Sequence, residues 1–331
     1  MTLSNPLAGD LHVNAPLTNF GQKYLQDASA FVAGVAMPNL PVSKQSDLYW
    51  IFDRADWYRD EAKERADGTE SEGSGFSLST SPYYAKVYAH HKDVTDRQRA
   101  NADAAVNPDN SAVEFVTRKL LIRREALFIS KFFVTSVWAN QDVGVTSGPV
   151  AGTSFLRWDV STSDPVNDVR MAIELVQGKT GYRMNKMLIQ RQVWNRLLEN
   201  DSILSRIVGG ATANTPAIVM KQLIAQLFEI DAIYILEAVW NTANKGATEA
   251  TSFMAGKHAL LYYAPNSVSV EEPTAGVTFS WTGFMGATSN GMRIKRFRME
   301  ELESDRVEGQ MAFVQQIIGS DLGFFFLDAI S

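Results

Sequence analysis

One long run of the chain, Ser111–Trp138, contains neither glycine nor proline. Apolar residues recur in it at helical spacing, at positions 112, 113, 116, 120, 127, 128 and 132. This pattern predicts a helix of about six turns, long for a globular protein. Asn110 or Ser111 can cap its start, and Glu114 stands three residues after Ser111, the spacing of a capping box.

Helices and strands alternate through residues 164–285. Asp164-Pro165 opens a helix that is expected to end at Gly178, because proline suits the first helical position. The pattern continues with a strand at Met184–Ile189, a helix at 191–200, a helix from Thr215-Pro216 to Glu229, and strands at Ala232–Leu236 and Gly256–Ala264. Such alternation predicts an α/β or α+β unit.

The end of the chain returns to β structure. Residues Met292–Met299 and Gln310–Ile318 alternate between apolar and polar, and a charged turn region, 300–309, lies between them. This arrangement predicts a hairpin with one polar face. Gly323–Leu327 is apolar throughout and predicts a final buried strand.

The first part of the chain lacks helical periodicity. Residues 1–45 contain four prolines and predict an extended arm, which must lie on its own domain or on a neighbouring molecule. In residues 53–72, 12 of 20 are charged, and an alternating run follows at 83–90. These features predict a long two-stranded excursion with a solvated tip. A solvated surface loop explains the charge equally well.

Aromatic residues crowd around this charged excursion, which has no core of its own to bury them. Tryptophan and tyrosine dominate protein–protein contacts. Six residues are therefore predicted to contact a neighbouring subunit, namely Trp57, Tyr58, Phe76, Tyr83, Tyr84 and Tyr88. The alternative is that the segment folds down on its own domain.

The middle of the long predicted helix is basic. It carries Arg118, Lys119, Arg123 and Arg124 within seven residues. These residues form either a solvated polar face or a surface for an anionic partner, which would be DNA or an acidic scaffold.

Composition narrows the classes of protein. The 331 residues include no cysteine, which excludes a disulfide framework, a zinc–thiolate site and a cysteine nucleophile. The formal net charge of −6 argues against a protein that coats nucleic acid through a basic surface. The length exceeds the roughly 250–300 residues at which single cores stop growing, so two domains or one domain with extensions are expected. No run of about 20 apolar residues exists, and we expect no membrane partner.

Nothing in the sequence assembles a catalytic or metal site. Gly178-Lys179-Thr180 is similar to the end of a phosphate-binding loop, but that motif needs glycine where this chain has Ile173. His90 and His91 are adjacent, so in a strand they point to opposite faces and cannot chelate one metal ion. Carboxylates are plentiful in residues 53–72 and 300–308, but these are the most solvated segments, where burial cannot usefully raise their pKa values. We therefore expect no enzymatic activity, no cofactor and no metal.

The order of these parts resembles the major capsid proteins of tailed bacteriophages, which have the Hong Kong 97-type fold, and among them the lambda head-protein type. The matching stretches are Gly68–Arg99 before the long helix, Asp164–Val169 at the start of the next helix, and Gly291–Asp321 near the end. The resemblance covers essentially the whole chain and rests on patterns rather than on an invariant motif.

The resemblance implies an α+β fold in named parts. These are an N-terminal arm at 1–45, an E-loop at 46–92 that reaches across an adjacent subunit, a peripheral (P) domain with its spine helix at 93–163, an axial (A) domain at 164–285, a P-domain hairpin at 286–319 and a terminal strand at 320–331.

The resemblance also implies a structural function. The chain would self-assemble in the cytoplasm of a host bacterium into the hexamers and pentamers of an icosahedral virion head. Its partners would be other copies of itself, a portal, a decoration protein and packaged double-stranded DNA held non-specifically. A separate scaffolding protein is expected, because Met1 leads almost directly into the arm.

Three alternatives stay open. An encapsulin-type nanocompartment shell would have the same fold and enclose a cargo enzyme. An α/β hydrolase or transferase that uses carboxylates would need a pocket of converging acids. A phage-encoded binding protein would form no shell.

Overall fold

The computed structural model describes residues 26–102, 107–208, 221–267, 272–283 and 287–331. In these ranges the helices are α1 (Arg54–Trp57), α2 (Asp96–Ala100), α3 (Pro108–Phe132), α4 (Pro165–Thr180), α5 (Arg191–Glu199), α6 (Asp201–Val208) and α7 (Lys221–Leu227). The strands are β1 (Asn39–Val42), β2 (Ser46–Phe52), β3 (Leu78–Tyr84), β4 (Lys86–Thr95), β5 (Asn140–Val145), β6 (Ser154–Leu156), β7 (Lys186–Gln190), β8 (Ala232–Leu236), β9 (Val239–Asn241), β10 (Thr251–Phe253), β11 (Ala259–Tyr262), β12 (Gly276–Trp281), β13 (Met292–Met299), β14 (Ser304–Ile317) and β15 (Gly323–Leu327).

A six-stranded mixed sheet has the order β6-β5-β15-β11-β7-β8. Its strand β15 comes from the end of the chain and lies between β5, to which it is parallel, and β11, to which it is antiparallel. Successive side chains of a strand point to opposite faces, so the three phenylalanines of β15 serve two cores. Phe324 and Phe326 belong to the core that includes α4 and Trp158, and Phe325 belongs to the core at the end of α3.

A second, five-stranded sheet is built around the long strand β14. Strands β4, β13 and β12 each pair with β14 in antiparallel fashion, and β1 joins β12 in parallel. Helix α3 packs across β4 and β14, and it approaches β14 closely at Gly309, where an added Cβ would lie 2.5 Å from Val116 Cγ1. The missing side chain lets the helix lie directly on the strand.

The long helix is confirmed as an element but lies earlier in the chain than predicted. It begins at Pro108, and the Asn107 side chain accepts hydrogen bonds from the backbone amides of Asp109 and Asn110. The predicted caps Asn110 and Ser111 therefore lie inside the helix. It ends at Phe132 because the indole N–H of Trp138 donates to the Phe132 carbonyl oxygen at 2.8 Å, which satisfies a terminal acceptor.

Helix α4 also differs from its prediction at one end. It begins at Pro165 with Asp164 as the cap, as predicted, but it continues through Gly178 to Thr180. The residue that ends it is Gly181, which has a φ of 72° in the left-handed region that glycine adopts without strain. Gly178-Lys179-Thr180 therefore lies in a helical turn and not in a loop.

Several other predictions hold. The strands predicted at Ala232–Leu236, Met292–Met299 and Gly323–Leu327 are β8, β13 and β15. Strand β14 begins at Ser304, so most of the region predicted as a charged turn is strand. Helix α6 was not predicted, and the predicted helix start at Thr215-Pro216 lies outside the described residues, as does the arm before residue 26.

Strand pairing crosses the ranges expected for the named domains. Strands β5 and β6 pair in the six-stranded sheet, although 93–163 was grouped with the long helix. Strand β12 pairs with β14, although 164–285 was grouped as one unit. Strands that pair across a long stretch of sequence leave no local pattern. Ranges drawn along the sequence therefore could not show which strands share a sheet. The domain names remain a proposal.

The central position of β15 generates a test of the fold. Phe325 is fully buried and packs edge-on against Phe133 with ring centroids 5.9 Å apart. We expect Phe325→Ala to lower the free energy of unfolding of the isolated subunit by about 3–5 kcal/mol, measured by urea denaturation. Phe297→Ala, which removes an exposed ring from β13, serves as the control and should change it by less than about 1 kcal/mol. Equal effects would contradict the assigned cores.

Candidate assembly interface

The charged excursion is two-stranded, as predicted. Strands β2 and β3 pair over their whole length, from Ser46 opposite Tyr84 to Phe52 opposite Leu78. The tip between them carries α1, which begins after Asp53 because the Asp53 carboxylate accepts the Ala55 amide. The return run predicted at 83–90 divides at Ala85. Its second half belongs to β4 and pairs with β14 in the five-stranded sheet.

Three rings form an aromatic cluster near the base of the tip, made of Phe52, Trp57 and Phe76. The Trp57 and Phe76 centroids are 5.3 Å apart, and Phe52 lies 6.4 Å and 6.1 Å from them. Trp57 is 60% exposed and Phe76 54% exposed. The rings therefore pack on one another and still present apolar area to solvent, which is the property expected of an interaction surface.

The other predicted contact residues divide between surface and core. Tyr84 is exposed on β3, whereas Tyr83 is buried and stacks on Phe279 of β12 at 4.5 Å. Tyr88 is half-buried on β4 beside Phe313, 5.2 Å away. The sequence could not separate these tyrosines, because alternation does not tell which face of a strand meets a second sheet.

Tyr58 ties the excursion to the body of its own chain. Its hydroxyl donates to the Thr180 carbonyl oxygen, at 2.5 Å, and so caps the end of α4. A Cβ at Gly181 would lie 2.7 Å from this hydroxyl, so the glycine is also needed for the close approach. Arg54 forms an ion pair with Asp321, just before β15. The part of the excursion around α1 is therefore held against the body of its own chain.

The four predicted basic residues of the long helix do not share one surface. Lys119 and Arg123 are exposed, and each has its charged group over an aromatic ring, Phe115 and Tyr88 respectively. Arg118 is half-buried near Asp27. Arg124 is only 4% exposed and lies against Phe313. Of the four, Arg124 is inside the chain, because the helical stripe that meets β14 includes its position.

Glu125 is a buried carboxylate that the sequence did not single out. Its Oε2 accepts the Ala33 backbone amide at 2.8 Å, and so joins α3 to the segment that follows Asp27. Burial raises the pKa of the Glu125 carboxyl to about 7, although the backbone hydrogen bonds and the Arg124 charge act in the opposite direction. Glu125 lies outside the solvated acidic segments 53–72 and 300–308 that the sequence singled out, and a charged residue inside a helix gives no local sign of burial.

Burial also raises the pKa of another carboxyl, that of Asp168 on α4, to about 6. A hydrogen bond from the Trp158 indole, at 3.1 Å, opposes the shift. His258 is largely buried, and its Nδ1 accepts the Asp328 amide at 3.0 Å. In the described ranges no group of three or more histidines and carboxylates could hold a metal ion, and no helix is long and apolar enough to cross a membrane.

A curated relative covers nearly the whole chain. It is the major capsid protein of Pseudomonas phage JBD67, which is 25% identical over 302 residues, 91% of this chain and 92% of that protein. No protein-family model matches.

Solved structures match the architecture described above. A phage-related protein from Bordetella bronchiseptica superposes with a TM-score of 0.65 at 18% identity, over 92% of this chain and 93% of that one. The capsid of cyanophage P-SCSP1u gives 0.59 at 10% identity, over 93% and 91%. The chain has the Hong Kong 97-type capsid fold. Together with the curated relative, this fold makes it a structural capsid protein of the phage type, in agreement with the resemblance seen in the sequence.

The same capsid fold occurs outside phages. An encapsulin complex from Synechococcus elongatus superposes with a TM-score of 0.56 at 11% identity, over 96% of this chain and 95% of that one. Fold alone does not separate a phage head from such a compartment.

Glu125 gives the capsid protein a pH-dependent stability. Its carboxyl has a folded-state pKa of about 7 against an ordinary value of 4.5, so the folded chain binds this proton more tightly than the unfolded chain does. The free energy of unfolding should therefore fall by about 3 kcal/mol as the pH rises through this window, and level off above it. Glu125→Gln keeps an oxygen that can accept the Ala33 amide. In urea denaturation between about pH 5 and about pH 8, this variant should lose the slope with pH, meaning the fall in the free energy of unfolding that comes from the titration of Glu125.

The matched control for that measurement is Glu174→Gln, which changes an exposed carboxylate of α4. It should leave the slope as in the original chain. An unchanged slope in Glu125→Gln would contradict the assignment of the titration to Glu125.

Proposed function

We propose that this capsid protein self-assembles into the hexamers and pentamers of an icosahedral head through its two-stranded excursion, the E-loop. The observation that carries the proposal is the aromatic cluster of Phe52, Trp57 and Phe76, in which the rings of Trp57 and Phe76 are more than half exposed. Burial of such rings between subunits would make the stability of the excursion depend on assembly.

The head would enclose double-stranded DNA, and the chain would be a virion component assembled in a bacterial cytoplasm. The net charge of −6 supports a container that does not bind its DNA tightly, since each phosphate contact would add salt-dependent affinity. The name of the relative from phage JBD67 supports the phage setting. A scaffolding protein, a portal and a decoration protein are the further partners that we propose.

The second candidate function is an encapsulin-type shell around a cargo enzyme, which is favoured by the fold shared with the Synechococcus encapsulin. Catalysis by this chain has less support. Its most strongly shifted glutamate, Glu125, is fully buried and cannot meet a substrate. We therefore propose a role without enzymatic activity.

Negative-stain electron microscopy tests the proposed function directly. The purified chain, alone or expressed with the neighbouring genes of its source, should form closed shells or rings of uniform size. A monomer or dimer under all conditions would overturn the proposal. Nuclease-resistant DNA inside native particles would support the phage head, and a protein cargo without DNA would support the encapsulin-type shell.

Substitutions in the aromatic cluster separate assembly from folding. Trp57→Ser combined with Phe76→Ser should abolish shells while changing the free energy of unfolding of the subunit by about 1 kcal/mol or less, because both rings are exposed. Tyr83→Ser is the matched control, since its stacked and buried ring should cost about 3 kcal/mol in the subunit itself. Shells of normal yield from the first variant would contradict the proposed contact.

A further inference from the structure

Five cations line the junction between helix α3 and strand β4. We name them the basic seam, which comprises Lys86, Lys92, Lys119, Arg123 and Lys131. Lys92 Nζ on β4 and Lys119 Nζ on α3 each lie 5.4 Å from the centroid of the Phe115 ring. Arg123 lies over Tyr88, also at 5.4 Å. The Lys86 charge acts on Lys131 at the far end, where it helps burial to lower the pKa of Lys131.

The seam is a line and not a point. Phe115, Lys119 and Arg123 follow one another at intervals of four residues and so form one ridge of α3. From Phe115 to Lys131 the helix rises by about 24 Å. A rigid linear array of this length suits an elongated occupant better than a small ion.

No carboxylate neutralises the seam within the part of the chain that the structure describes. None of the ion pairs formed there includes a seam residue, and Lys131 donates only to the neutral Gln316 side chain. Two acids of these elements are paired with arginines outside the seam, Asp93 of β4 with Arg306 and Asp109 of α3 with Arg99. On the adjoining strand β14, Glu308 accepts a hydrogen bond from Gln310. In a chain of net charge −6, this line is a local positive surface that an anionic partner would complement.

Phe115 distinguishes between anionic partners. Its ring is 41% exposed between two ammonium groups, so the seam offers apolar area as well as charge. Duplex DNA presents phosphates and hides its bases, and it would leave this ring uncovered. An acidic protein segment with apolar side chains on the same face would pair with the cations and also cover the Phe115 ring.

The chain's own acidic segment, residues 53–72, is a weaker match. Four of its eight acids are already engaged within the excursion, as Asp53 caps α1, Asp56 and Glu61 lie at Arg59, and Glu72 pairs with Lys63. Its anchor at Tyr58 also holds it to its own body.

We propose that the basic seam is the docking site for an acidic amphipathic helix of a different protein, with its carboxylates on the seam cations and an apolar side chain on Phe115. This rests on the proposed function only in that such a partner would act during shell assembly. Binding itself is a property of the free subunit, and it can fail or succeed whether or not shells form.

Fluorescence anisotropy on the full-length, unassembled subunit tests the proposal. The probe is a labelled peptide of about 16 residues, the length that spans the seam as a helix, with leucines on one face flanked by glutamates. It should bind at least about tenfold more tightly than a polyglutamate of equal charge. Lys119→Glu combined with Arg123→Glu should weaken binding by about a hundredfold, and Phe115→Ala should weaken the amphipathic peptide by about tenfold while leaving polyglutamate unchanged.

The matched control is Arg97→Glu combined with Lys295→Glu, which makes the same change of charge at exposed positions away from the seam. It should leave binding within about twofold. Failure of the peptide to bind, an unaltered affinity in Phe115→Ala, or tighter binding of a DNA duplex of equal charge would each overturn the proposal. The last result would assign the seam to nucleic acid. Competition by a peptide of residues 53–72 with higher affinity than the amphipathic probe would also overturn it, in favour of a second copy of the chain.

Discussion

The insertion of β15 into the middle of the six-stranded sheet is the interaction on which the rest of the structure depends. This strand supplies the neighbour for both β5 and β11, and its three phenylalanines face two different cores. The sheet cannot be completed until β15 lies between these two strands. Contacts of long sequence separation require a large loop to close and therefore form slowly.

Helix α3 is the second element on which the packing depends, and it is buried to different extents along its length. Its early turns lie on β14 at Gly309 through Val116 and Leu120, and its end closes on Phe325. Between these points it buries two charged residues in sequence, Arg124 and Glu125. Such a pair costs desolvation energy that apolar residues would not. What it provides is an acceptor for the Ala33 backbone amide, which fixes the later part of the predicted arm to the same helix that carries part of the basic seam.

The bounds of an element could be predicted from the sequence where local residues determine them. They could not be predicted where residues far away in the chain determine them. β15 is apolar at every position and could be predicted to its exact bounds, and Pro165 with Asp164 marked the start of α4. The end of α3 could not be predicted, because Trp138 caps it from outside the helix. For the same reason the six aromatic candidates could not be divided into surface and core. Tyr83 and Tyr84 are adjacent and chemically identical, and only the position of Phe279, almost two hundred residues away, buries one of them.

Two exposed surfaces of the described chain differ in chemistry, and of the two only the excursion is proposed to join copies of the chain. The excursion presents aromatic rings beside an acidic tip, and the basic seam lies on another element, between α3 and β4. A contact that joins unlike surfaces of identical chains is heterologous, and such contacts generate closed rings when the rotation between copies closes. Tyr58 and Arg54 hold the excursion to the body of its own chain. In the proposed head, a ring of five and a ring of six would differ by about 12° per copy in that rotation, so these two contacts would have to tolerate both angles.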